Sequence, residues 1–421
     1  MARLPIVIRL DGISFEEAVT ALAGQPGFFV IDGRGAHDWA GRISIISAFP
    51  KSSFSMAGGF VTVDGHTTIE QPYTALSRFC SRANSLSIDP YLPFSGGIAG
   101  YIGFEGARAL RGLAPARGFS RHSQCRLGLY PAAFLFDHAE GTAALVANGD
   151  TQREAMERSG LMLDCLHKKS GFSGADMSFS PDDSRWLPDD EGLAKILSNA
   201  RAWLRSDSIR HVHIVRHRQT PFSTGSFVSQ FLEAGMDGTR RAVFTHEGAA
   251  YLISSWDALL RIDGRRMRST ISFGPASPQE PSVVGPALRE FHRRAKELCP
   301  DGVSREDRDD VTSFSGRLGR EMAHVDALVG LMPSHFNTGM PYERALEFID
   351  QNEELHRSLY GGAFGTLDSK RLAFSTIQSV QTAADGALCE TVGIDLKADM
   401  DEGTAMERLG SVFSRPLPRT G

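Results

Sequence analysis

Four glycines crowd one short apolar segment, and they constrain the fold of this chain more than any other feature. The segment "PFSGGIAGYIGFE" places Gly96, Gly97, Gly100 and Gly103 among aromatic and aliphatic side chains. Glycine inside ordered structure costs backbone entropy, so a run of four needs a physical reason. Three structures are compatible with it: a phosphate-binding loop, a membrane segment, or a strand whose backbone packs closely against its neighbours.

The spacing of these glycines favours the packed strand. A phosphate loop needs Gly-x-x-x-x-Gly-Lys-Ser/Thr or Gly-x-Gly-x-x-Gly between a strand and a helix, and the segment contains neither pattern. No uninterrupted apolar stretch of the chain reaches the roughly 20 residues that span a bilayer. Close backbone packing within a sheet is therefore the predicted role of the four glycines.

Composition narrows the function classes. The net charge of −5 gives no basic field that would hold a nucleic acid. The five cysteines are scattered and form no Cys-x-x-Cys pair, which argues against a disulfide framework or a zinc knuckle. The first residues lack the apolar run of a signal peptide. We therefore predict a cytoplasmic protein with reduced thiols that binds neither nucleic acid nor a membrane.

Local patterns predict an α+β fold. A capping box of Ser14 and Glu17 opens a helix in "SFEEAVTALAG". Hairpins are predicted to turn at Glu247-Gly248, Asp263-Gly264 and Asp385-Gly386. The stretches "LGLYPAAFLFDH" and "AFSTIQSVQT" each read as one strand. Neighbouring strands joined by short turns form antiparallel sheets, so the helices pack elsewhere.

The chain divides into three predicted parts. Residues 167–191 are poor in apolar side chains and rich in Ser, Asp and Gly, which is typical of a linker. An N-terminal subdomain of residues 1–166 precedes this linker. A C-terminal subdomain of residues 192–421 follows it.

Two segments carry a resemblance to a known family. "PFSGGIAGYIGFE" resembles the Pro-Phe-x-Gly-Gly-x-x-Gly-Tyr-x-x-Tyr/Phe-Glu element of the chorismate-utilising enzymes, which include component I of aminodeoxychorismate synthase and of anthranilate synthase. "MPSHFNTGMPYERALEFIDQNEELHRSLYGGAFGTLD" resembles the family's Thr-Gly-Ala-Pro-Lys and Arg-Gly-x-Tyr-x-Gly-x-x-Gly region. The resemblance implies large antiparallel sheets packed in a sandwich with helices outside. It also implies a small carboxylated substrate, magnesium, and a glutamine amidotransferase as partner subunit.

Several charged positions of the family are exchanged here. Tyr342 stands at the lysine of Gly-Ala-Pro-Lys, and Gln381 at the arginine that binds a substrate carboxylate in the family. Gly274 is retained, but Pro275 replaces the threonine after it, and Phe273 takes the place of the nucleophilic lysine of aminodeoxychorismate synthases. A charge-assisted hydrogen bond contributes about 1.5–3 kcal/mol. These exchanges predict that the usual amination is lost.

The metal-binding helix of the family has no clear counterpart. The segment between residues 274 and 339 contains Glu290 and His292 where the family has Ala-Glu-His, and Glu402 or Glu407 falls near its C-terminal acidic ligand. Magnesium requires hard oxygen ligands in near-octahedral order. We therefore carry over no magnesium site and expect neither a metal site nor a cofactor.

At other pocket positions this sequence has the same residue as the family or a different residue that can form hydrogen bonds. The turn at Tyr360 matches the substrate-lining turn of the family, and Asp257 stands at the glutamate of Ser-Pro-Glu. The predicted substrate-binding residues are Gly274, Gly361, Gly362, Gln381, Thr382 and Gly393. The predicted catalytic residues are Tyr342, Asp257, Tyr360, His211 and His213.

The strand "HVHIVRH" places His211 and His213 on one face, because side chains alternate along a strand. His-x-His is a recurring metal-ligand spacing, and Asp257, His246 or His335 could supply a third ligand. The other interpretations are two hydrogen-bonded histidines without a ligand, or a general base for the altered pocket.

Two functions follow from this sequence. The first is a divergent enzyme that acts on chorismate or a related carboxylated metabolite by acid–base or elimination chemistry. The second is a non-catalytic pseudoenzyme that binds a partner such as a glutamine amidotransferase. A pocket lined by converging polar groups would favour the first function, and a pocket plugged by apolar side chains would favour the second.

Overall fold

A computed structural model describes residues 5–34, 42–113, 124–168, 183–221, 227–233, 239–246, 248–272, 281–308, 311–398, 400, 403–407 and 409. The strands are β1 (Ile6–Leu10), β2 (Phe29–Asp32), β3 (Ile43–Ser47), β4 (Ser52–Ala57), β5 (Phe60–Val63), β6 (His66–Thr68), β7 (Gly97–Ile102), β8 (Cys125–Tyr130), β9 (Ala132–Asp137), β10 (Thr142–Ala147), β11 (Arg185–Leu187), β12 (His211–Pro221), β13 (Arg240–His246), β14 (Ala249–Ser255), β15 (Ala258–Asp263), β16 (Arg266–Ser272), β17 (Val303–Arg308), β18 (Val311–Arg317), β19 (Gly339–Met340), β20 (Ala363–Leu367), β21 (Arg371–Thr376), β22 (Ser379–Ala384) and β23 (Ala387–Lys397). The helices are α1 (Phe15–Leu22), α2 (Pro72–Ser81), α3 (Phe104–Leu110), α4 (Gln152–His167), α5 (Asp190–Arg205), α6 (Phe227–Glu233), α7 (Pro281–Leu298), α8 (His324–Leu331) and α9 (Tyr342–Asn352).

Two large antiparallel sheets organise these elements, which confirms the α+β prediction. Sheet I has the order β1-β10-β9-β3-β2-β13-β14-β22-β23-β12-β11, and β19 also pairs with β12. Sheet II has the order β17-β18-β16-β15-β21-β20-β7-β8-β4-β5-β6. The N-terminal strands occupy one end of each sheet, and the pairs β2–β13 and β20–β7 join them to the C-terminal strands.

Apolar side chains of both sheets meet in a core between them, and helices cover the outer faces. Phe29 and Tyr251 of sheet I share this core with Tyr101 and Phe364 of sheet II. On sheet I, α1, α4 and α6 cover one outer region, and α5 and α9 cover another. On sheet II, the outer core includes α2, α7 and α8. The sandwich with outer helices is thus confirmed.

The glycine segment is a buried strand, as predicted. It forms β7, which lies between β20 and β8. A Cβ atom on Gly97 would lie 2.5 Å from the carbonyl oxygen of Leu367, and one on Gly103 would lie 2.4 Å from that of Ser358. Glycine is required here because neighbouring backbone occupies the space of a side chain.

Two strand predictions were wrong in the same way. "LGLYPAAFLFDH" is two strands, because β8 ends before Pro131 in sheet II and β9 continues in sheet I. Proline cannot donate to a strand ladder, so it marks a place where the chain can leave a sheet. "AFSTIQSVQT" likewise divides at Ile377-Gln378 into β21 of sheet II and β22 of sheet I. Both crossings connect the two layers of the sandwich.

The predicted capping box and two of the three predicted hairpin turns are present, and the third turn contains Glu247, which lies outside the described residues. The capping box at Ser14 and Glu17 forms with both bonds. Hairpins β15–β16 and β22–β23 turn at the predicted dipeptides, and Asp385 and Gly386 have φ values of 52° and 73°. Within the predicted linker, β11 pairs with β12. Among the described residues, no helix has the length and apolar character of a membrane span.

Candidate active site

A turn between α9 and β20 marks the candidate site. Gly361 donates its N–H to the carbonyl of Ile377, and Ile377 donates its own to Gly362, both at 2.8 Å. The φ of Gly361 is 76°, and a Cβ on Gly362 would lie 2.1 Å from the carbonyl oxygen of Ile102. The two glycines let this turn approach sheet II closely, and Tyr360 is fully buried between the sheets.

Tyr360, His213 and Asp395 form one hydrogen-bonded unit. Nδ1 of His213 lies 2.8 Å from Oδ1 of Asp395, and its Nε2 lies 2.9 Å from the hydroxyl of Tyr360. The His213 and Tyr360 rings stack with centroids 5.6 Å apart. Burial raises the pKa of Tyr360, so this hydroxyl stays protonated. A carboxylate on Nδ1 favours the proton there, which leaves Nε2 to accept from Tyr360.

Gly393 is the position that makes room for this unit. A Cβ on Gly393 would lie 2.2 Å from Nε2 of His213 and 2.8 Å from the hydroxyl of Tyr360. The predicted substrate-binding Gly393 is therefore covered by two of the protein's own polar side chains. These side chains form a fixed polar surface on the inner side of β12 and β23.

His211 lies two residues earlier on the same strand and differs from His213 in its bonding. Its Nε2 is buried and has no hydrogen-bond partner among the described residues. Its ring also hydrogen-bonds the backbone of His335. Burial lowers the pKa of His211, with a further contribution from His213. At neutral pH His211 is thus an uncharged imidazole with an open ring nitrogen, as a general base requires.

The pKa of Asp257 is raised, whereas that of His211 is lowered. Its Oδ1 accepts from the backbone N–H of Ser272, and its Oδ2 accepts from the side-chain amide of Gln378, both at 2.7 Å. Burial raises the pKa of Asp257 to about 7 in spite of these bonds. Gln378 directly follows Ile377, which bonds the Tyr360 turn. A buried acid that is half protonated near neutral pH therefore adjoins this turn.

Tyr342 lies in a cationic cluster. Nη1 of Arg111 is 3.2 Å from its hydroxyl, and the guanidinium carbon of Arg294 is 4.5 Å from its ring centroid. The ring of His335 packs on Tyr342 with centroids 4.7 Å apart. Burial, with Arg294 and Arg111, lowers the pKa of His335 to about 2. Two arginines from other elements thus bring positive charge to the position where the resemblance has lysine.

Gln381 lies away from these residues. Its amide accepts from Gln230 of α6 at 2.8 Å and donates to Glu390 at 2.9 Å. Thr382 is paired with Tyr251, whose side chain lies in the core between the sheets. Since neighbouring strand residues face opposite sides, Gln381 faces the helix layer while Thr382 faces the inner side.

Sequence comparisons relate this chain to known enzymes. A family model described as chorismate binding enzyme matches residues 310–389. Anthranilate synthase component 1 of Thermus thermophilus is 24% identical over 361 residues, 77% of each chain. The chain is thus similar in sequence to the chorismate-utilising enzymes.

Solved structures show the same fold. Anthranilate synthase component I of Streptococcus pneumoniae superposes with a TM-score of 0.74 at 14% identity, covering 88% of this chain and 91% of that one. The menaquinone-specific isochorismate synthase of Escherichia coli superposes with a TM-score of 0.69 at 15% identity, covering 98% and 95%. The described residues therefore share the two-sheet fold of these enzymes.

Some family positions fall outside the described residues. They are Gly274, predicted to bind substrate, its neighbours Phe273 and Pro275, and Glu402. Ser272, which bonds Asp257, directly precedes this group. The segment that the resemblance assigns to the substrate therefore starts next to the buried acid.

The described residues do not fit a magnesium site. They contain no group of three His, Cys, Asp or Glu side chains that could hold a metal ion. Glu290 of α7 is paired with Arg293, and its Oε1 lies 3.6 Å from Nε2 of His335. Arg294 and Arg111 place two cations nearby. Cations disfavour a divalent metal at this position, because like charges repel.

Four contributors to the candidate site were not predicted from the sequence: Asp395, Gln378, Arg111 and Arg294. Asp395 has the same strand parity as Gly393, and its pairing with His213 across β12 and β23 brings the two side chains together. The alternation rule could have found it once the strand pair was known. Gln378 and Arg294 carry no local signal, because their roles arise only when distant segments meet.

Proposed function

We propose that this protein carries out acid–base chemistry on chorismate or a closely related cyclic carboxylated metabolite, adding or eliminating a hydroxyl group without amination. One observation carries the proposal: Nε2 of His211 is buried and has no hydrogen-bond partner among the described residues. The pKa values of His211 and Asp257, which burial displaces in opposite directions, support it. Titratable groups whose environments separate their protonation states are the usual acid and base of an enzyme site.

His211 serves as the base and Asp257 as the acid. His213 is less suited to the first role because both its ring nitrogens are engaged. Nε2 of His211 removes a proton either from water, as the water oxygen bonds to a ring carbon, or from a ring carbon, as a double bond forms. The protonated carboxyl of Asp257 donates to the ring hydroxyl whose C–O bond breaks, and that hydroxyl departs as water. The unit of Tyr360, His213 and Asp395 orients the substrate between them.

A carboxylated substrate needs positive charge, and the cationic cluster at Tyr342 supports its binding. His335 links the cluster to the base, because its backbone bonds His211 and its ring packs on Tyr342. Arg111 and Arg294 are the cations we assign to a substrate carboxylate. This replaces the lysine and the arginine of the family, whose positions hold Tyr342 and Gln381.

The relatives support a change of reaction on a constant fold. Their names include both an anthranilate synthase and an isochorismate synthase. Since one fold carries different reactions, the side chains at the site decide the chemistry. The neutral Gln381 among the helices argues against amination of this family's usual kind.

Purified protein with chorismate, magnesium and ammonia is expected to form neither anthranilate nor aminodeoxychorismate, but a product with a moved or lost hydroxyl group. His211→Asn and Asp257→Asn should each lower the rate about 100-fold, because a positioned acid or base contributes roughly 10²–10⁴-fold. Chromatography with mass detection measures this, and His66→Asn, an exposed histidine elsewhere, serves as the control. Amination at the rate of an active relative would contradict the proposal.

The pH dependence of kcat/KM should be bell-shaped. Asp257 must be protonated, so activity should be lost as the pH rises through about 7. His211 must be neutral, and its pKa lies below the usual value of 6.5, so activity should fall only on the acid side of that value. Initial rates from pH 4 to 9 test this. A rate that continues to rise above pH 7 would rule out Asp257 as the acid.

A non-catalytic role is the second candidate, and one observation favours it. His213 and Tyr360 fill the space beside Gly393 with buried protein atoms, as an inert relative could also do. In that case a glutamine amidotransferase subunit is the proposed partner. Size-exclusion chromatography with such a subunit should then show a complex, while chorismate remains unchanged in every assay.

A further inference from the structure

A cavity lies beside β12, between the start of α5 and the segment that follows α9. It has a volume of about 380 Å³, within the range of roughly 300–1,000 Å³ typical of small-molecule sites. Val215 and His217 of β12 form its floor. The first turns of α5 and residues 351–355 after α9 form its walls. None of the predicted site residues lines it.

His217 supplies the main polar group of the floor. Its Nδ1 lies 2.9 Å from the hydroxyl of Thr391, and its side chain is 6% exposed. Burial, with the charge of Arg357, lowers the pKa of His217 to about 4. The ring is therefore uncharged at neutral pH. Nε2 is the ring nitrogen that remains for a molecule in the cavity.

Carboxylates dominate the charged groups around this cavity. Glu353, whose side chain is 7% exposed, accepts from Nε of Arg357 at 2.7 Å and also bonds its Nη2. Each carboxylate oxygen retains capacity for a second donor. The rim of the cavity carries two carboxylates, Asp189 and Glu354, and one ammonium group, Lys195. The hydrogen-bond acceptors inside the cavity favour a ligand that donates hydrogen bonds. The net negative charge at its rim favours a ligand that carries positive charge.

We propose that this cavity binds a small organic molecule bearing a primary ammonium group. The ammonium donates to Glu353 and to the open nitrogen of His217. The apolar body of the molecule packs on Val215, Ile196 and Pro188, which also line the cavity. An ammonium group has three donors and no acceptor, which matches a site that offers acceptors. The proposal does not depend on the reaction assigned to His211 and Asp257.

Three matched probes test the ligand class: 4-fluorobenzylamine, 4-fluorobenzyl alcohol and 4-fluorobenzoate, titrated into the full chain at pH 7.5 and followed by ¹⁹F NMR. The amine is expected to bind at least fivefold more tightly than the alcohol, with the benzoate weakest. Equal affinity for amine and alcohol, tightest binding by the benzoate, or no binding by any probe would overturn the proposal.

Substitutions at the cavity test whether the amine binds there. His217→Asn should weaken amine binding at least fivefold, and Glu354→Gln two- to fivefold, as for a charge at an exposed rim. Glu343→Gln, an exposed glutamate on α9 outside the cavity, should leave affinity unchanged. If His217→Asn does not fold, the ¹⁵N shift of the His217 ring on amine addition reports the same contact. Unchanged affinity in Glu354→Gln together with an unmoved His217 signal would contradict the assignment.

Discussion

Replacing Gly100 by alanine is expected to leave little or no folded protein. A Cβ at this position would lie 2.0 Å from the carbonyl oxygen of Arg126 and 2.9 Å from the Cα of Leu127. Both atoms belong to the backbone of β8, so no side-chain rotation relieves the clash. The φ of Gly100 is +153°, which adds backbone strain for any other residue. We expect a loss of at least about 4 kcal/mol out of a typical total of about 5–15 kcal/mol.

Circular dichroism and urea unfolding measure this effect. The matched control is Gly160→Ala in α4, where no atom lies within 4 Å of the added Cβ. Alanine should stabilise that helix by about 0.5–1 kcal/mol. If the Gly100→Ala variant folded with the stability of the original protein, the close contact between β7 and β8 would be wrong.

Replacing Arg357 by methionine is expected to cost about 3–5 kcal/mol, because it leaves a buried carboxylate without its partner. Arg357 is 1% exposed and bonds both oxygens of Glu353. It also donates to the carbonyl oxygens of Asn337 at 2.5 Å and His213 at 2.6 Å. The guanidinium therefore connects α9, the turn that holds His335, and the strand that holds the two histidines.

Urea unfolding with and without Arg344→Met separates this effect from ordinary surface charge. Arg344 is on α9 as well, but it is half exposed and pairs with Glu347, so its loss should cost less than about 1 kcal/mol. The double variant Arg357→Met/Glu353→Leu should recover part of the loss, since it removes the unpaired carboxylate. An Arg357→Met protein within 1 kcal/mol of the original on the same urea scale would mean that this network is not buried as described.

Local chemistry explains which parts of the fold could be predicted. Asp385-Gly386 specifies its turn through positive φ, and Ser14 with Glu17 specifies a helix start, so both follow from a few adjacent residues. The crossings at Pro131 and at Ile377 were missed because strand propensity does not say which sheet a strand joins. That choice depends on pairing with segments far away in the sequence.

The same distinction holds at the candidate site. The shared face of His211 and His213 follows from alternation, and Tyr360 from the family resemblance. Sequence could not predict which face of sheet I the Gln381 side chain occupies, because a shift of one residue in the strand register moves a side chain to the other face. Asp395 and Arg294 become visible only when β23 and α7 are placed against the other elements. Sequence therefore proposed residues for the candidate site, and the structure shows their hydrogen-bond partners.

The claim that His211 and Asp257 act on one substrate is tested most directly by a crystal structure of the Asp257→Asn variant soaked with chorismate. The account predicts chorismate with one hydroxyl or bound water within about 2.6–3.2 Å of Nε2 of His211, and an oxygen at the same range from the side chain at position 257. A carboxylate should face Arg111 or Arg294. Chorismate bound elsewhere, or a site that stays closed around His211 at saturating chorismate, would contradict it.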